Sequence, residues 1–287
     1  MQPKRCGATL PTALPHHGCQ PQEPSPPPPP TAGDTKFRAR HPCGIRVEGW
    51  HGCPLMNWTN TSLVMLPGLD GTTRLYQDAL AMDWGGMQAM SLPLPNQGPQ
   101  DYDTLAKAMT STLPTGELVL LAESFSTPLA MLLASSEAAR VKALVLVAGF
   151  CASPQPSGLG WLPLQPLLSL TPPAFLLKQF LTGEDAPQAL LDSLSAALRQ
   201  VAAAVLAERV RVVLALRESD CPNLRGLPVL LLQARHERVI PWDAQSQLER
   251  HFPEATCHWV DGPHLLMQTR TRDCRDAVLG FLAQGGV

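Results

Sequence analysis

The strongest constraint on this chain's fold is residues 117–135, ELVLLAESFSTPLAMLLAS, where a short apolar run ends at Ser124 and passes at once into a helix-forming pattern. Its centre, Ala122-Glu123-Ser124-Phe125-Ser126, is a small-x-Ser-x-small pattern between strand and helix. A serine there sits on a sharp turn with its hydroxyl above the sheet, and its neighbours must be small because the two backbones converge. The helix that follows points its positive end at the same spot. Ala122 and Ser126 stand where the usual form of this turn has glycines, which narrows the room. Taken alone, the pentad also fits a buried strand before an ordinary helix that begins with serine.

The surroundings repeat the same alternation. Apolar runs at 62–66, 87–92, 118–122, 143–147, 229–233 and 257–260 predict strands, and helical spacing predicts helices near 75–82, 102–113 and 272–283. Strands alternating with helices imply an α/β architecture, a mostly parallel sheet flanked by helices on both faces. About 80 residues separate the fourth and fifth strands, more than a crossover needs. This insertion, about 152–222, carries a Pro/Leu/Trp-rich part and two helical patterns, one through Leu190, Leu194, Leu198 and Val201, the other over 205–217. It predicts a helical lid over the strand ends, with leucines that either line a substrate site or pack on the sheet helices.

Residues 1–56 differ from the domain at 57–287. They are basic and Pro-rich, with Pro26 to Pro30 unbroken, and lack apolar periodicity. Such a segment buries too little to offset its ordering entropy, so it is expected to be disordered, with residues 37–50 able to add a weak edge hairpin. The globular pattern begins directly after Met56, which makes that methionine the expected start of the native chain. With 287 residues, 45% of them apolar, a sizeable core is within reach. A net charge of −2 and no Lys/Arg run argue against nucleic acid or an anionic membrane as partner. Eight irregularly spaced cysteines form no CxxC pair and no Cys/His metal spacing, so free thiols, no metal and no cofactor are expected. No run of about 20 apolar residues could span a bilayer, and no secretory pattern opens the chain; a cytoplasmic location is expected.

Two further loops carry reactive side chains in a telling order. After the strand at 229–233 comes ARHERVIP, which puts Glu237 at the carboxyl end of a strand. After the last strand comes VDGPHLL, which puts His264 in a Gly-Pro loop. Upstream, the first strand ends in PGLDG, where Leu69 offers a backbone N–H to pair with that of Phe125. Rivals read less well: Asp243 resembles a helix N-cap, and His236, His251 and His258 are a loop neighbour, a helix end and a strand member. Cys151 follows a different strand, and Asp70 is explained by its turn. Glu237, flanked by Arg235 and Arg238, also reads as a solvated loop charge.

Together, LPGLDGT (66–72), LLAESFSTPLA (120–130), HERVIP (236–241) and DGPHLLMQ (261–268) resemble the α/β-hydrolase superfamily over roughly residues 62–284. Within it the chain is similar to bacterial serine hydrolases of the small esterase and thioesterase-like type. The resemblance implies the chain order serine, acid, histidine. It assigns Ser124 as nucleophile, His264 as general base, Glu237 as the acid that orients it, and the Leu69 and Phe125 N–H groups as the oxyanion hole. Glutamate is one methylene longer than the commoner aspartate, about 1.5 Å of reach, so its loop must sit further from His264. The implied activity is cleavage of carboxylic esters with a fairly apolar acyl group. A thioesterase of the same fold and a silent ligand-binding member are the alternatives.

Overall fold

Six strands form the sheet: β1 (Thr61–Leu66), β2 (Gln88–Ser91), β3 (Glu117–Glu123), β4 (Val141–Val147), β5 (Val229–Ala234) and β6 (Thr256–Val260). Their order is β2-β1-β3-β4-β5-β6, and every neighbouring pair is parallel. This computed structural model describes residues 58, 60–155, 164–170 and 172–284. The segment expected to be disordered, with the 37–50 hairpin and the Met56 start, lies outside the described residues, as do residues 156–163 of the insertion.

The period-2 alternation of the strands decides where the core sits. In β1, Val64 and Leu66 join one apolar cluster while Leu63 and Met65 join another; in β3, Leu118, Leu120 and Ala122 alternate likewise with Val119 and Leu121. Each face therefore needs a helical layer. One is covered by α2 (Tyr102–Thr110), α3 (Ser126–Ser136) and α8 (Trp242–His251), which contribute Leu105, Met109, Leu129, Leu133 and Leu248. The other is covered by a 3-10 turn (Arg74–Tyr76), α1 (Gln77–Leu80), a short α9 (Leu266–Thr269) and α10 (Thr271–Gln284), which contribute Tyr76, Ala79, Met267, Val278 and Leu282.

Some boundaries differ from the expected ones. The helix expected over 102–113 begins at an Asp101 cap whose carboxylate accepts the Thr104 N–H, and it stops at Thr110. There Thr110, Ser111 and Thr112 turn their hydroxyls back onto the carbonyls of Ala106, Ala108 and Met109, and Pro114 follows. Asp243 is not an N-cap; it lies in the first turn of α8, whose cap position is Pro241.

The insertion is helical. It runs through α4 (Leu164–Leu168), α5 (Ala174–Leu177), a π turn (Lys178–Thr182), α6 (Gln188–Arg199) and α7 (Ala203–Ala215), with a 95° bend between the last two. Leu191 and Leu194 of α6 are buried with Leu177 and Leu265, and Leu198 packs against this cluster. These leucines hold the insertion on the histidine loop. Among the described residues no single helix is long and apolar enough to cross a membrane.

A parallel sheet delivers all its carboxyl ends to one edge. The strand order reverses between β1 and β3, one leading outward to β2 and the other toward β6, and loops that part there leave a crevice. The loops after β1 and β3 carry Leu69 and Ser124, at that crevice.

Candidate active site

Ser124 is one of two non-glycine residues with positive φ among the described residues, at +50°. An L-residue pays for that conformation, so it persists only where surrounding bonds enforce it. Here they do. The Ser124 N–H donates to the Val147 carbonyl at 2.9 Å, and its carbonyl accepts the Thr127 N–H at 3.0 Å and the Thr127 hydroxyl at 2.8 Å. The Tyr102 hydroxyl holds the Phe125 carbonyl at 3.0 Å. The two departures from glycine are accommodated: Ala122 is fully buried in the sheet, and the buried Ser126 hydroxyl donates to the Pro67 carbonyl, tying this turn to the loop after β1.

The loops after β5 and β6 meet over this turn. Arg235 N–H donates to the Val260 carbonyl and His236 N–H to the Gly262 carbonyl, at 2.9 and 3.0 Å, so the acid and histidine loops are sewn together. His264 Nδ1 lies 2.7 Å from Glu237 Oε2, and His264 Nε2 lies 3.0 Å from Ser124 Oγ. A carboxylate can only accept, so the proton sits on Nδ1 and Nε2 presents its lone pair to the Ser124 hydroxyl. The longer glutamate reaches because its loop curls beneath it: Glu237 Oε1 accepts the Val239 and Ile240 N–H groups at 2.7 and 3.1 Å. Its side chain, like that of His264, is 3% exposed, so Glu237 is no solvated loop charge. Ser124 is half-buried, which leaves it reachable.

The electrostatics follow from this packing. Burial pushes the Glu237 carboxyl up, but the His264 charge and hydrogen bond and the two N–H donors outweigh it and hold the group below its ordinary value. Burial pushes the His264 imidazole down; the charge and hydrogen bond of Glu237, with the more distant charge of Glu123, outweigh it and raise it.

The N–H groups expected to form an oxyanion hole sit where the loops converge. Leu69 lies in the turn closed by the Gly71 N–H on the Gly68 carbonyl at 3.0 Å. Phe125 precedes the first residue of α3. Neither N–H donates to an acceptor among the described residues. Asp70 Oδ2 accepts the Thr72 N–H and hydroxyl at 2.9 and 2.6 Å, the turn its sequence suggested.

The other candidates are elsewhere. His236 contacts Asp261 on the surface, and His258 lies within β6. Among the described residues, the group able to hold a metal is Cys151, Glu218 and His251, whose ligand atoms all lie within 4.8 Å of one another. None of the three belongs to the serine–histidine–glutamate chain, and Glu218 there already accepts from Gln247 and pairs with His251.

Two residues of the site escaped sequence reasoning. Glu123, beside Ser124, is 1% exposed; it accepts from the Tyr76 hydroxyl at 2.8 Å, the Gln268 amide at 2.9 Å and, more loosely, the Met267 N–H. Its position inside the pentad was a signal, but a residue beside a strand end can face either way. Arg209 of α7 is fully buried. It lies three positions after Leu206 and four before Val213, so a charge on the apolar face of a helix was the signal.

No family model and no curated protein matches the chain. Its fold is similar to solved structures. These include a carboxylesterase of the thaumarchaeon Nitrososphaera gargenis, with 13% identity over 78% of this chain and 90% of that one and a TM-score of 0.65. A thermophilic esterase of Thermogutta terrifontis shares 15% identity over 79% and 90%, with a TM-score of 0.64. The enol-lactonase of Burkholderia xenovorans shares 15% over 78% and 92%, with a TM-score of 0.62.

Proposed function

Starting from a chain with the α/β-hydrolase fold, we propose that it is a serine hydrolase that cleaves carboxylic esters through an acyl-enzyme on Ser124. The observation that carries this reading is the unbroken chain of hydrogen bonds from Ser124 through His264 to Glu237, with acid and base buried and the hydroxyl reachable. A serine hydroxyl is a poor nucleophile at neutral pH, so a base must take its proton during attack. His264 Nε2 is placed to do so, and the negative Glu237 stabilises the imidazolium that results. The tetrahedral oxyanion forms within reach of the Leu69 and Phe125 N–H groups, each worth on the order of 3 kcal/mol to the transition state. The imidazolium returns its proton to the leaving alcohol. His264 then activates water to release the acid and free Ser124.

An apolar acyl group draws support from a groove of about 360 Å³ beside the Glu237 loop, lined mostly by apolar side chains such as Leu176, Phe180 and Val239 together with Gln155 and Arg238. Leu191, Leu194 and Leu198 of α6 supply none, because they are spent on packing. The test is a fluorophosphonate probe applied to the folded protein, with mass mapping of the adduct. Labelling at Ser124 that is lost in Ser124→Ala and collapses in folded His264→Ala supports the reading; no labelling refutes it and favours a ligand-binding role without turnover. Matched oxygen and thioesters then separate esterase from thioesterase.

A further inference from the structure

The insertion reaches the loop after β1 through a buried arginine of α7. Arg209 leaves α7 and buries its guanidinium between the loop after β1 and the start of α3, making three hydrogen bonds. Nη1 donates to the Leu69 carbonyl at 2.8 Å, Nη2 to the Pro95 carbonyl at 2.8 Å, and Nε to Gln100 Oε1 at 2.9 Å. Its central carbon also stands 5.7 Å over the Phe125 ring. The partner residues 69 and 125 are the two whose N–H groups face the oxyanion in the function proposed above.

The loop is shaped for this cation. Gly71 has φ of +68°, and a Cβ there would stand 2.3 Å from Nη1. Gln100 is held in turn, its N–H donating to Glu208 and its amide to the Gly98 carbonyl. Among the described residues no carboxylate oxygen is hydrogen-bonded to the guanidinium; Asp70 is near enough to favour its charge but spends its own bonds on Thr72. Burial lowers the guanidinium to about 10, so it stays charged at neutral pH. A buried cation without a bonded carboxylate is costly, and a structure that needed only packing at this point would place an apolar residue there. Three charge-assisted bonds to fixed acceptors instead hold backbone in place.

We propose that Arg209 is the positioning residue of the oxyanion hole, setting the Leu69 backbone through its carbonyl and the Phe125 turn through its ring. The insertion is therefore part of the catalytic apparatus, because its α7 carries the side chain that holds both N–H-bearing segments. This inference rests on the Ser124 reading.

The experiment measures p-nitrophenyl butyrate hydrolysis by the full chain, with kcat normalised to the sites titrated by fluorophosphonate. Arg209→Lys keeps the charge but loses the three-point grip, and should lower kcat about 10- to 100-fold, less than the 10²–10³ for deleting a donor outright. KM should stay within about twofold and the pH midpoint should not move, because His264 is untouched. In Arg209→Ala, millimolar guanidinium should restore part of kcat, whereas urea, its neutral counterpart in shape, should not. Gln100→Met removes one of the three bonds and guards against a variant that fails to fold; it should lower kcat severalfold. Unchanged turnover per titrated site in Arg209→Lys, or a loss confined to KM, overturns the inference while the Ser124 reading stands. Absence of labelling in the wild type removes both.

Discussion

Gly71→Ala should cost about 2.5–5 kcal/mol of stability, although it adds only a single methyl group. Two contributions follow from the structure. The left-handed backbone at φ +68° penalises any Cβ by about 1–2 kcal/mol. The added carbon would also stand 2.3 Å from Arg209 Nη1 and 2.9 Å from Cζ and Nη2, so the guanidinium must move and surrender its bond to the Leu69 carbonyl. Losing a hydrogen bond from a charged donor adds about 1.5–3 kcal/mol. Gly226→Ala isolates the first contribution: its φ is +79°, and no heavy atom among the described residues lies within 4 Å of its would-be Cβ. Urea denaturation of the wild type and both variants reads the two costs, provided the slopes agree. Gly226→Ala should lose only about 1–2 kcal/mol. A Gly71→Ala loss within about 0.5 kcal/mol of the Gly226→Ala loss would refute the claim that the turn is moulded around the arginine.

Four further outcomes are expected. Because His264 must be neutral to accept the Ser124 proton and its pKa is raised, labelling should climb with pH and reach half its maximum above the ordinary imidazole value of about 6.5. In Glu237→Gln the charge that favours the imidazolium is gone, so a stopped-flow pH series should place the midpoint lower, at a rate reduced by about 10⁴. Ser124→Ala should keep the fold by circular dichroism while turnover falls by roughly 10⁶; near-normal turnover would exclude the acyl-enzyme. Thr127→Val should destabilise by about 1–3 kcal/mol in thermal unfolding, because the hydroxyl bonded to the Ser124 and Phe150 backbones has no substitute there.

What could be read from the chain alone was local. Strand alternation such as that of Leu118, Leu120 and Ala122 depends on side chains two apart. The turns at Pro67–Gly68 and Gly262–Pro263 depend on backbone preferences of one or two residues. Both are written in neighbouring positions, so the parallel sheet, its helical layers and the order of the Ser124, Glu237 and His264 loops were legible.

Destinations were not. Whether the α6 leucines would line a site or pack was undecidable until Leu177 and Leu265 appeared as their partners. Glu237, read as the acid, also fitted a solvent-facing charge between two arginines until its loop folded under it to supply two N–H donors. Glu123 could be placed next to Ser124 but not beneath Tyr76 and Gln268, and Arg209 lies 140 positions from the carbonyl it holds. Each of these contacts is chosen by the burial of a polar group that must find a partner wherever the packed chain brings one, and short-range preferences carry no record of that distance.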